Sequence, residues 1–208
     1  MLFWLVAAVA NVSAPKPVNF LRWYKPDDMP AYHQIAGVTR KVYLRMTVRP
    51  DGSLQSCEVE NDGGDAKLAA YSCALTLKRA KIEPATWSDG TPAFGVYRWA
   101  PTWAVGSPPP PDFALGDLEL EVDRLPKGER SPAFVSIMFA VDTVGSPSLC
   151  SAAPPSSRYH RINPELVPIA CEQWIRSFKA VPARDYAGND VPSVQIGTVK
   201  FVRRKQPK

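Results

Sequence analysis

The run VYLRMTVRPDGSLQSCEVENDGGDAKLAAYSCALTLKRAKIEPATWSDGT, residues 42–91, decides the fold, because its order of signals returns later in the chain. It opens with an alternating strand (Val42, Leu44, Met46, Val48), turns at Pro50-Asp51-Gly52, passes Cys57 and enters a helix carrying Cys73. It leaves through Pro84-Ala85 and Asp89-Gly90-Thr91. Ten residues separate Val42 from Gly52, and ten separate Val135 from Gly145, with Val135, Ile137, Phe139 and Val141 in place of the first apolar set. Gly52 to Cys57 and Gly145 to Cys150 are both five residues; Cys73 to Pro84 and Cys171 to Pro182 are both eleven. Agreement of independent spacings is the signature of a tandem duplication.

Each copy can be read locally. Val38 to Arg49 alternates with period two, placing Val42, Leu44, Met46 and Val48 on one face and Tyr43, Arg45, Thr47 and Arg49 on the other, the pattern of a half-buried strand. Pro presets φ in the turn that follows and Gly52 accepts a positive one. A second strand is expected over 54–60. Asn61-Asp62-Gly63-Gly64 ends it, and Asp65 is placed to cap a helix over 66–80 whose buried face is Leu68, Ser72 and Leu75 beside Ala69, Cys73 and Leu77. Phe94 to Trp103 supplies a third strand. The second copy opens with an additional alternating strand (Leu118, Leu120, Val122) before Ala133 to Asp142. Its helix start is written as Asn163 at the N-cap, Pro164 at the first position and Glu165 in the first turn. Leu166, Ala170, Trp174 and Phe178 then recur every four residues, and Val194 to Val202 is the last strand.

At 208 residues the chain accommodates two small domains, each near the size where one core is marginal and covalent support is useful. Leu2 to Ala10 is apolar but too short to cross a bilayer in a helix, which takes about 20 residues. With the small residues Val12, Ser13 and Ala14 after it, it reads as a secretory signal cut after Ala14, against the plainer reading of a buried strand or helix. No Lys or Arg precedes Lys16, so the usual positive start of such a signal is missing. Four cysteines, two per copy, behind an export signal read as disulfides of an oxidising compartment. The competing readings are free buried thiols and a metal site, but zinc ligands favour close pairs such as C-x-x-C. The intervals Cys57 to Cys73 and Cys150 to Cys171, with two histidines in the chain, do not have that form. A chain reversing at Gly63-Gly64 lays the helix back over the strand, so pairing is expected within each copy, Cys57 with Cys73 and Cys150 with Cys171.

The expected organisation is a signal peptide over 1–14, an extended aromatic- and proline-rich lead over 15–32 that packs on the first domain, and domains over 33–104 and 116–202. A Pro-rich linker covers 105–115 and a basic tail 203–208. Four linker prolines in polyproline II extend about 12 Å, which holds the copies close.

In these motifs the chain resembles the TonB C-terminal domain family. The first copy carries the alternating strand, Pro50-Asp51-Gly52, Leu68 sixteen residues before Pro84, Pro84-Ala85 and Asp89-Gly90-Thr91-Pro92; the second has Leu166 sixteen residues before Pro182, then Ala183 and Gly188. Val144-Gly145 stands where Asp-Gly would, and the loop before the second helix is longer. The resemblance implies an α+β fold of two tandem domains, each a three-stranded antiparallel sheet packed on one helix in ββαβ order, in a periplasmic setting. It also implies engagement of an extended segment of an outer-membrane transporter by strand addition, pulled by an inner-membrane proton-driven complex. An open sheet edge offers unpaired amides and carbonyls to such a segment. Leu2–Ala10 and four prolines are too short for the membrane anchor and long reach of a force-transmitting member.

Other classes fit poorly. A net charge of +5 with pI near 9.1 is spread along the chain apart from the tail Arg203 to Lys208, and no basic and aromatic residues interleave for stacking on bases, so nucleic acid is not an expected partner. His33 and His160 stand in different contexts with no nucleophile motif. Asp62 and Asp65 have the spacing of an acid–base pair, but a turn and a helix cap account for both. Gly63-Gly64 lacks the Gly or Lys of a phosphate loop. No enzyme activity, cofactor or metal is expected. The reading is an exported binding or adaptor module for protein segments; the alternative is a structural protein whose two copies pair with each other.

Overall fold

The structure, a computed structural model, describes residues 12–106, 116–154 and 162–204. Leu2–Ala10, the linker prolines, His160 and the last four residues lie outside the described residues. The fold is mixed α+β, mostly strands with few helices. The first half contributes β1 (Tyr43–Val48), β2 (Leu54–Asn61), α1 (Ala66–Arg79) and β3 (Pro92–Trp99). The second contributes β4 (Leu118–Val122), β5 (Ala133–Val141), β6 (Pro147–Ala152), α2 (Leu166–Ser177) and β7 (Ser193–Arg203).

The punctuation residues act as their chemistry dictates. Asp65 Oδ1 accepts from the Leu68 amide at 2.9 Å and caps α1. Asn163 Oδ1 accepts from the Glu165 and Leu166 amides at 3.0 and 3.3 Å, so it caps the turn from which α2 grows although the regular helix opens at Leu166. In the first β-turn Asp51 Oδ1 holds the Ser53 amide at 2.9 Å. The second copy, lacking that aspartate, moves the carboxylate two positions earlier: Asp142 Oδ1 holds the Val144 and Ser146 amides at 3.0 and 2.7 Å. Gly52 and Gly145 sit at the same φ, +81°. A Cβ at either would meet a backbone carbonyl of the segment beyond the helix, Ile82 O at 2.7 Å or Ala180 O at 2.3 Å.

The two halves do not form separate three-stranded sheets. They share one eight-stranded sheet in the order β6-β5-β7-β3-β1-β2, with β4 beside the far end of β7 and Ala85–Thr86 beside the start of β3. The joint is parallel: Phe94, Gly95 and Val96 pair with Ser193, Val194 and Gln195. Every other pairing within this path is antiparallel.

Register fixes the faces. Leu44, Met46 and Val48 lie opposite Trp99, Tyr97 and Gly95, and Val42 and Leu44 pack on Leu68, Ala69, Cys73 and Leu75 of α1. Gly95 lies beside Val194 and Val194 beside Ala140, so these share the α1 face. The neighbours of Ala140 and Val194 in their strands, Phe139 and Gln195, point to the other face, where Phe139 packs with Leu166, Ala170 and Trp174 of α2. The two helices therefore cover opposite faces of one sheet. An approximate half-turn about an axis in the sheet, running along β3 and β7, exchanges the halves, keeps the two strands parallel and inverts the faces.

This arrangement corrects the half-buried reading of the first strand. Arg45 and Thr47, the supposed solvent face, are 6% and 2% exposed. The second half covers them, because a three-stranded sheet with one helix leaves its other face bare. Leu77 departs in the opposite sense, 48% exposed, because the buried arc of α1 turns through Ser72 and Thr76 instead. The third strand stops at Trp99; the Pro101 carbonyl accepts from the Val42 amide, and Thr102–Trp103 pairs with Arg40–Lys41. The lead is only partly extended. Lys16–Val18 pairs with Lys81–Glu83, but Phe20–Arg22 and Pro26–Asp28 are 3-10 turns and Ala31–Ala36 is a short helix, Pro26 and Pro30 sitting at helix starts where a missing N–H costs nothing. Its aromatics do pack on the first half. Trp23 is 1% exposed and meets Tyr97 and Trp99 edge-on, and Tyr24 meets Trp103 edge-on. Tyr24 also donates to the Ser72 carbonyl at 3.1 Å, and burial pushes its hydroxyl up to about 12.

Candidate functional site: the joint and the outer strand edges

The four cysteines are brought together in pairs, Cys57 with Cys73 and Cys150 with Cys171, at Cα separations of 5.6 and 5.4 Å. Both bridges tie the outermost strands, β2 and β6, to the helix of their own half. The strands at the two ends of the path are thus held covalently, whereas β4, which among the described residues pairs with β7 alone, carries no bridge.

The other residues considered for chemistry are occupied structurally. His33 is buried, with Nε2 3.3 Å from the Trp103 carbonyl; His160 lies outside the described residues. Asp62 Oδ1 accepts from the Gly64 amide at 2.8 Å, forming a turn, and Asp65 is the cap already described. Among the described residues no group of three His, Cys, Asp or Glu is placed to hold a metal ion. No described helix is long and apolar enough to cross a membrane, which says nothing about strands.

What the sequence did not reveal is the joint. Beyond the helices, the chain of each half runs over the bare sheet face of the other. On the α2 side Arg45 Nη2 donates to the Val181 and Pro182 carbonyls at 2.9 and 3.1 Å, and its Nη1 lies 3.4 Å from Glu58 Oε2. Burial pulls the Arg45 guanidinium below its ordinary pKa and Glu58 pulls it back. Gln195 Nε2 joins the same Val181 carbonyl at 2.9 Å. On the α1 side Ala85, Ala93, Ala140 and Val194 form a small apolar cluster with Val12. Arg45 and Gln195 are thus buried polar groups with partners, the arrangement burial requires.

A cavity of about 50 Å³ remains at the joint between Arg45, Arg98, Trp174, Lys179 and Gln195. That is room for one or two water molecules, well below the several hundred Å³ of an organic-ligand pocket. A shallower groove of about 430 Å³ lies where the lead meets α1, lined by Asp27, Met29, Pro30, Tyr32, Lys67 and Tyr71. Asp28 beside it is committed to Arg79, whose guanidinium donates to both carboxylate oxygens and holds the acid below the usual carboxylate range.

Among the described residues the edges at the two ends of the path differ, and β4 leaves a third beside the end of β7. In β2, residues Ser56 to Val59 run in unbroken register with Thr47 to Leu44, and the breaks fall at the ends. Residues 58–61 are exposed. On one face Glu58 and Glu60 meet Arg45 and Arg98, the latter also paired with Asp117. In β6, Pro147 has no N–H, Leu149 takes φ +48° and the register breaks between Met138 and Ala140. A bulge and a proline are devices that blunt an edge against strand addition. Compared with protein-family models, curated proteins and solved structures, the chain matches nothing.

Proposed function

We propose that the chain is an exported TonB-C-like module that acts in the periplasm as a binding adaptor. It accepts an extended protein segment along the outer edge of β2 and links to energy transduction toward an outer-membrane transporter. One observation carries the choice of edge. The third strands of both halves are spent on each other at the joint, β6 is blunted, β4 is five residues long, and β2 is an eight-residue strand whose register is unbroken over 56–59 and which is exposed from residue 58. Backbone hydrogen bonds of an added strand supply affinity, and alternate side chains supply selectivity. The two bridges support an oxidising compartment.

The second reading is a structural or self-association protein whose two copies pair with each other. The parallel joint favours it, because that pairing consumes strands a binder would leave open. A photo-crosslinking residue at Val59 of β2, with Ser148 of β6 for comparison, separates the two in the intact cell envelope. The adaptor reading expects adducts with other envelope proteins from position 59 and few from 148. Adducts with a second copy of the chain alone, or none at 59, would replace it with the second reading.

A further inference from the structure

We infer that the segment accepted along β2 is basic on alternate residues, a strand with Lys or Arg at every second position and apolar side chains between them. The inference rests on the reading of β2 as the accepting edge and deepens it by naming the chemistry of the partner. Residues 54–65, which are β2 and the turn leading to α1, hold four carboxylates (Glu58, Glu60, Asp62, Asp65) and no Lys or Arg, in a chain whose net charge is +5. Asp62 and Asp65 are spent on the turn and on the cap of α1. Glu58 and Glu60 remain for the strand itself.

Register places the charges in rows. Glu58 lies opposite Arg45 of β1, and Arg45 lies opposite Arg98 of β3, so the cations stand on the inner strands and the carboxylates on the outermost one. Arg98 Nε donates to Glu60 Oε1 at 3.0 Å, and the same guanidinium also serves Asp117. Arg45 is likewise shared, its Nη2 being given to the Val181 and Pro182 carbonyls. The Glu58 side chain stays 56% exposed although its partner Arg45 is buried. A strand added to β2 would set its own side chains beside Glu58 and Glu60, where opposite charges across the pair stabilise and like charges repel. Because the two glutamates are separated by one residue, they ask for cations at alternate positions of the incoming strand. Cys57 and Val59 point to the other face, Cys57 into its bridge with Cys73 and Val59 left 42% exposed, so the residues between the cations meet an apolar row. The other edges lack this pattern. Residues 147–152 of β6 carry no charge, and on β4 Glu119 and Glu121 pair with Lys200 and Arg204.

The test uses the full oxidised chain and three short synthetic peptides: alternating Lys and Val, alternating Glu and Val, and the first composition with its lysines in one block and its valines in another. Affinity and amide exchange in β2 are both read. The alternating basic peptide is expected to bind about tenfold more tightly than the acidic one and to slow exchange over residues 56–61. Glu58→Gln with Glu60→Gln is expected to weaken it by about 2–30-fold, and Glu58→Gln alone, which leaves the Arg98 pairs intact, gives the same direction if the double variant fails to fold. Equal affinity and equal protection of β2 with the basic and acidic peptides would overturn the basic partner and leave the edge reading standing. A block peptide that binds as well as the alternating one without protecting β2 would reduce the preference to general charge attraction and overturn it. Protection of β2 by none of the three would remove the edge reading and the inference together.

Discussion

Trp174→Ala is expected to lower the midpoint of thermal unfolding by about 10 °C. The side chain is fully buried in α2, tilted on Phe139 with ring centroids 4.9 Å apart and stacked on Phe178 at 3.8 Å. Its six-membered ring lies over Gly197 of β7, where a Cβ would stand 2.3 Å from Cη2 and 2.5 Å from Cζ2, so the glycine is the floor of the tryptophan's seat. Truncating a buried Trp costs about 3–5 kcal/mol, lost transfer energy plus the cavity left behind. In a chain of this length each kcal/mol moves the midpoint by about 2–4 °C. The indole Nε1 is buried with no hydrogen-bond partner among the described residues, so Trp174→Phe should cost far less, since it forfeits area and none of the described hydrogen bonds. Calorimetry on both variants beside Ile175→Ala, a truncation on the exposed side of the same helix, checks the order. Equal effects for Trp174→Ala and Ile175→Ala would mean that α2 is not seated on the sheet as described.

Removing both bridges is expected to have the largest effect of all. The bonds close loops with sequence separations of 16 and 21 residues, and the chain-entropy model assigns about 3 kcal/mol to each. Their sum is of the order of half a typical domain's whole stability. Cys57→Ser with Cys73→Ser should lower the midpoint by about 6–12 °C, and the matching change at Cys150 and Cys171 by a similar amount. Because each bridge ties down an outermost strand, the loss should also be local. Amide exchange should accelerate first in β2 when the first bridge is opened and in β6 when the second is, with β3 and β7 protected until global unfolding. A midpoint that moves by less than about 2 °C with both pairs replaced would show that the edge strands are held by packing alone.

Much of the fold is legible because its signals are local. Asp65 and Asn163 announce helix starts, Gly52 and Gly145 announce turns, and the cysteine spacings announce staples, each within a few residues of the structure it makes. The joint between β3 and β7 has no local sign, since a parallel pair is joined by no turn and brings together Gly95 and Val194 from distant parts of the chain. Arg45 was misleading for the same reason: a charged residue in an alternating strand looks solvent-facing until the carbonyls of Val181 and Pro182 arrive from the other half. A usable hint did exist in β5. Its nine residues, Ala133 to Val141, contain no charge, and a strand without a polar face is covered on both sides. The candidate site was less legible than the fold, because which edge stays open follows from which strands the joint consumes.

Nuclear Overhauser contacts across the joint test this account most directly. Backbone contacts of the parallel type are predicted between Phe94, Gly95 and Val96 and their partners Ser193, Val194 and Gln195, together with side-chain contacts from Val12 to both Ala93 and Val194. Two independent sets of contacts within each half, with none between β3 and β7, would contradict it.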